Sequence, residues 1–258
     1  MNLAELRGIS KSFGGLAALR EVDMAIEKGE IRGLIGPNGA GKTTLFNIMA
    51  GNYRADAGSF RFEGRELLDV AVNDRVSLGV VRTFQNIRLF GTMTALDNVR
   101  MGFHCRTAAG WLASAFNTRR AAGEKAWVTG ESERLLAELD ILPYRNEAAK
   151  NLSYGNQRRL EIARALASRP RLLMLDEPAA GLNEAEGRQL LERIRAIRDS
   201  GVTVLVVEHD MNLLMAVSDR VTVLAHGQKI AEGPPAEVQA DERVILEYLG
   251  GGAGHAAG

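Results

Sequence analysis

Gly36-Pro37-Asn38-Gly39-Ala40-Gly41-Lys42-Thr43 lies between a short apolar run, Ile31 to Ile35, and a helix-period run from Lys42 to about Met49. It fits G-x-x-x-x-G-K-(S/T), the phosphate-binding loop. Successive backbone N–H groups in such a loop curl around a polyphosphate at a helix N-terminus. Gly36, Gly39 and Gly41 allow the close approach that side chains would forbid. Lys42 is expected to reach the β and γ phosphates, and the Thr43 hydroxyl to ligate Mg²⁺. With Thr44, the stretch is the candidate nucleotide site.

A second element lies downstream. Met174-Leu175-Asp176-Glu177-Pro178 reads as an apolar strand that ends in a carboxylate. In open α/β sheets, ligands bind at the carboxyl ends of the strands. Asp176 is expected to hold Mg²⁺ through water, and Glu177 to polarise the attacking water as a general base. Taken alone, an Asp-Glu pair after a strand is more often a solvated turn. The phosphate-binding loop makes it a site.

The same alternation extends along the chain. Leu172 to Leu175 and Val202 to Val207 are continuous apolar runs, as in a parallel sheet covered on both faces. Between them Leu190, Leu191, Ile194 and Ile197 recur at helical spacing, and Gly201 marks a helix stop. Arg220 to Ala225 and Lys229 to Ala231 flank His226-Gly227-Gln228, a late hairpin. The class is α/β: a P-loop core of mostly parallel sheet with flanking helices and N-terminal antiparallel β elements. Residues 87–169 lack strand runs and read as a helical subdomain inserted in one domain spanning 1–250. Residues 251–258, Gly and Ala apart from His255, read as a flexible tail.

Composition narrows the function. The 258 residues include 28 Gly, about 11% against an average near 7%. Apolar residues are 46% and charged residues 25%, which excludes a disordered or collagen-like chain. Lys+Arg 32 balances Asp+Glu 32, so no basic footprint for nucleic acid is present. Arg158, Arg159 and Arg164 therefore read as a solvated or phosphate-proximal face. Cys105 is alone, which suits a reducing compartment and makes zinc at His104-Cys105 improbable on ligand count. The N-terminus has no signal-peptide h-region, and no run of about 18 apolar residues could span a membrane. A cytoplasmic protein is expected.

Asn151-Leu-Ser-Tyr-Gly-Asn-Gln-Arg-Arg-Leu-Glu-Ile-Ala-Arg-Ala-Leu166 lies just upstream of the Asp176 strand. It resembles the signature motif of ATP-binding-cassette (ABC) ATPases, with Asn156 where that family usually has Gln and Tyr154 in place of the commoner Gly. The resemblance covers nearly the whole chain. It implies that Ser153 and Gly155 contact the γ-phosphate held by the opposite subunit. It further implies that Gln85, in Arg82-Thr-Phe-Gln85, touches Mg²⁺ and connects to the membrane partner. His209, after an apolar strand, matches the switch histidine that contacts the γ-phosphate, and Phe13 matches the aromatic that stacks on adenine. Ala180-Gly-Leu-Asn183 occupies the D-loop, with Asn183 where Asp is usual.

A narrower resemblance joins Val81 to Phe90, Met93-Thr94, an insertion through Trp111 and Phe116 to Arg119, Leu175 to Asn183, Glu208 to Met211, and Tyr248-Leu-Gly250. Together these are similar to the LivG-type ATPases of branched-chain amino acid importers, whose relatives also serve amide and urea uptake. The implied partners are transmembrane permease subunits, a second ABC ATPase subunit (identical or different) and, indirectly, an extracytoplasmic solute-binding protein. The chain would lie on the inner face of the cell membrane through the permease. Two other readings stay open: a soluble ABC ATPase acting on ribosome or DNA, and a non-hydrolysing regulatory cassette.

Overall fold

A computed structural model describes residues 1–83, 87–105 and 119–250. Gln85 and the stretch Trp111 to Phe116 lie outside the described residues, as does the segment 251–258.

Three short strands are buried at every position: β3 (Ile31–Ile35), β7 (Leu172–Asp176) and β8 (Thr203–Val207). Their alternate residues feed two separate cores. Ile31, Leu173, Leu175, Val204 and Val206 face one, and Leu34, Leu172, Met174, Leu205 and Val207 face the other. A strand with apolar layers on both sides has no polar face to alternate, hence the unbroken apolar runs.

The central sheet has the order β10-β9-β3-β8-β7-β6. The new members are β6 (Val80–Arg82), β9 (Arg220–Ala225) and β10 (Gln228–Gly233). All neighbouring pairs run parallel except β10 on β9. That last hairpin turns through His226 and Gly227, both at positive φ (51° and 78°). A second sheet is antiparallel, ordered β2-β1-β4-β5, from β1 (Asn2–Phe13), β2 (Leu16–Glu27), β4 (Ala57–Phe62) and β5 (Arg65–Glu66). It closes one core together with α1 (Lys42–Ala50), whose Leu45, Phe46, Ile48 and Met49 are buried there.

The other core is covered by α5 (Tyr154–Ala167), α6 (Glu184–Asp199) and α7 (Met211–Val217). Among the described residues between 87 and 169, the regular elements are helical, with one isolated bridge from Thr94 to Ala148. They include α3 (Ala95–Gly102) and α4 (Arg119–Glu138), which pack on each other and on α5. The sequence reading missed β6, because three residues carry no periodicity. Strand pairing defines it: Val80, Val81 and Arg82 lie opposite Leu172, Leu173 and Met174.

α1 is anchored at its far end by Arg75 of α2 (Val72–Leu78). The buried guanidinium donates to the Ile48 and Met49 carbonyls at the α1 C-terminus, and to those of Leu67, Leu68 and Val70. A cation there satisfies carbonyls that the helix leaves unpaired and complements its dipole. Arg75→Ala is expected to lower the free energy of unfolding by about 3 kcal/mol, because several buried acceptors lose a charged donor. Urea unfolding followed by circular dichroism checks it.

Candidate nucleotide site

The parallel register brings three loops to one edge. Asp176 of β7 lies opposite Val207 of β8, and Val207 lies opposite Leu34 of β3. The chain leaves those three strand ends as Gly36, Glu177 and Glu208-His209. Segments more than 130 residues apart in sequence, Gly36 to Thr44 and Asp176 to His209, are thereby neighbours.

The loop after β3 is tightly held. A Cβ on Gly36 would stand 2.1 Å from the Leu224 carbonyl oxygen, and one on Gly41 would stand 2.6 Å from that of Ala18. Gly41 is the N-cap of α1 at φ 100°, a conformation that disfavours side chains. The β9–β10 turn clamps the loop from outside: Gly227 N–H donates to Ala40, and Arg20 N–H donates to Gly227. No side chain caps α1 and no acidic residue lies in its first turn. The Lys42 ammonium turns inward instead and donates to the carbonyls of Gly36 (2.5 Å) and Pro37 (3.0 Å). Burial lowers its pKa, and nearby Glu177 opposes that shift. An uncapped helix N-terminus beside a desolvated ammonium suits a polyphosphate. Asn38, Gly39 and Thr43 are exposed, Pro37 and Thr44 half-buried, and Ala40 buried.

The carboxylates lie across from it. Asp176 is 4% exposed, and burial raises its pKa, with Arg82 opposing. Thr43 and Asp176 offer hard oxygen donors of the kind magnesium takes. Glu177 sits in the left-handed region at φ 46°, strain of about 1–3 kcal/mol that must be held by its surroundings. Two contacts from the end of β8 hold it. Glu177 N–H donates to Val207 O at 2.9 Å, and Ala179 N–H donates to the Glu208 carboxylate at 2.8 Å. His209 is exposed, its Nδ1 4.0 Å from Glu177 Oε2 and 3.8 Å from Glu208 Oε2.

Among the described residues, Ser153, Gly155 and Phe13 sit on elements other than these three loops. Ser153 caps α5, its hydroxyl accepting from Asn156 N–H, and buried Gly155 follows in the first turn. A Cβ on Gly155 would meet Glu186 and Leu182 at 3.3–3.5 Å, so this turn packs on the start of α6. Asn183 forms a reciprocal capping box there with Glu186. Phe13 ends β1, 44% exposed, with its ring edge-on to Tyr53 at 5.4 Å.

Residues 19–180 match the family model described as "ABC transporter". The chain belongs to the ABC transporter family of ATPases. Residues 228–254 of the cassette also match the model described as "Branched-chain amino acid ATP-binding cassette transporter". The cassette is 41% identical over 249 residues to the high-affinity branched-chain amino acid transport ATP-binding protein BraF of Pseudomonas aeruginosa, covering 96% of this chain and 98% of that one. It is 40% identical to LivG of Escherichia coli, described in the same words, with the same coverage. It superposes with a TM-score of 0.84 on the ADP conformation of an ATP-binding cassette of an ABC transporter, at 31% identity over 97% of this chain and 99% of that one. A nucleotide-free cassette gives 0.83, at 30% identity over 96% and 99%.

Sequence reasoning passed over two side chains at the edge, Arg82 and Glu208. Glu208 stood inside a quoted motif, but nothing in its spacing showed that it would be 2% exposed and turned toward the loop of a different strand. Glu208→Ala would leave the buried Ala179 N–H unpaired, at about 1–3 kcal/mol. A lowered melting temperature is expected for that variant, and Glu208→Gln, which keeps an acceptor oxygen, should restore most of it.

Proposed function

We propose that the cassette hydrolyses ATP to drive import of branched-chain amino acids or related amides, as the nucleotide-binding subunit beneath transmembrane permease subunits. The observation that carries the hydrolytic reading is the common edge holding Lys42, Asp176, Glu177 and His209. The cargo reading rests on the similarity to BraF and LivG and on the family match of residues 228–254.

In this reading residues 1–250 form one cassette with residues 87–169 as its helical insertion. The α1 N-terminus and the loop from Gly36 to Thr44 bind the phosphates, Lys42 neutralises them, and Phe13 stacks on the adenine. Thr43, Asp176 and Gln85 would hold Mg²⁺, which when bound supplies charge neutralisation on the phosphates. The Glu177 carboxylate takes a proton from the attacking water as its oxygen bonds to the γ-phosphorus, and ADP leaves. His209 donates to the γ-phosphate, its ring facing Glu177 and Glu208 on the other side.

Gly155 packs against Leu182 and Glu186, whereas Gly41 of the phosphate-binding loop packs on Ala18, Leu19 and Gly227. Those different neighbours support a head-to-tail pair of cassettes, each signature turn completing the partner's site. A groove of about 300 Å³ between Val81, Phe90, Met101 and Arg164 is where a permease segment would seat. Among the described residues no helix is long and apolar enough to cross a membrane, so attachment would come through such subunits. The solute-binding protein would act through the permease.

Glu177→Gln is expected to abolish phosphate release while retaining ATP binding, and to accumulate an ATP-bound dimer on size-exclusion chromatography. Normal turnover in that variant would remove Glu177 as the base. In reconstituted complexes, leucine, isoleucine and valine compared with small amides would identify the cargo by which one stimulates hydrolysis.

A further inference from the structure

Arg82 is the last residue of β6, and its side chain points to the nucleotide edge. It is 14% exposed and is anchored by more than a carboxylate. Its Nη1 donates to Asn47 Oδ1 on α1 at 2.6 Å, and its Nε donates to the Thr83 carbonyl at 3.2 Å. The guanidinium lies 5.0 Å from the centre of the Phe46 ring. Its Nη2 stands 3.6 Å from Asp176 Oδ2. On its other side Arg82 lines the groove, together with Phe90, Met101, Glu161 and Arg164.

A carboxylate as buried as Asp176 needs a nearby positive charge to stay ionised. Arg82 supplies one, its Nη2 3.6 Å from the Asp176 carboxylate. The Arg82 side chain is 14% exposed and that of Asp176 6%. Each partner of the pair is thus desolvated and only partly compensated by the other. We propose that Arg82 is a positioning residue, the resident counter-cation of Asp176, which a divalent cation must outcompete when nucleotide loads.

Two positive charges cannot share one buried carboxylate without cost, so Arg82 sets how readily Asp176 accepts a metal ion. Asn47 and Phe46 belong to the helix that carries Lys42 and Thr43. They hold the guanidinium in place, and loosening them should act in the same direction as removing the charge. Because Arg82 also walls the groove, a segment seated there would meet its other side.

The inference rests on the nucleotide reading above and is tested separately from it. In the full-length chain, binding of a fluorescent ATP analogue is titrated with Mg²⁺ at fixed nucleotide, with no hydrolysis measured. Arg82→Met is expected to lower the half-saturating Mg²⁺ concentration about fivefold or more. Arg82→Lys, which keeps the charge but not the guanidinium anchors, and Asn47→Ala should each fall between Arg82→Met and the wild type. If Arg82→Met does not fold, the Asn47→Ala shift decides. An unchanged or raised half-saturation in folded Arg82→Met or Asn47→Ala overturns the proposal, whereas a wild-type chain that binds no nucleotide with Mg²⁺ overturns the nucleotide reading instead.

Discussion

Parallel pairing of β3, β8 and β7 is the constraint on which the rest depends. Its register sets Leu34, Val207 and Asp176 side by side, so the three loops that leave those strands open at one edge. A one-residue slip in any strand would exchange its two apolar faces between separate cores. Because both cores are filled, that slip is disfavoured, and the packing that stabilises the sheet also sets the positions of the functional loops.

Charges at that edge are desolvated in an uneven way. Lys42 is pulled toward neutrality by burial, and Asp176 and Glu208 are pushed the same way from the acidic side. Such groups gain most from an incoming partner of opposite charge, as a phosphate or a divalent cation would be. The chain compensates them internally: loop carbonyls lie against Lys42, Arg82 against Asp176, and the Ala179 N–H against Glu208. The strained backbone at Glu177 is held by the last of these and by Val207.

Much of this was legible beforehand because two kinds of signal are local. A glycine-rich loop between a strand and a helix has a meaning set by backbone sterics, which residues 36–44 carry themselves. The apolar runs at Leu172 and Val202 announce strands buried on both sides for the same reason, and the His226-Gly227 turn follows from residues that tolerate positive φ. Strand β6 was not legible, since Val80-Val-Arg82 acquires its conformation only by pairing with Leu172 to Met174.

The sequence by itself determined an α/β phosphate-binding chain, its carboxylates and its family, because those rest on short-range sterics and on motif spacing. Tertiary structure alone decided which carboxylate faces which cation. Arg82 and Asp176 are 94 positions apart, and Ala179 and Glu208 are 29 apart. Their encounters are set by strand order and by exclusion of water, and neither is written in local sequence.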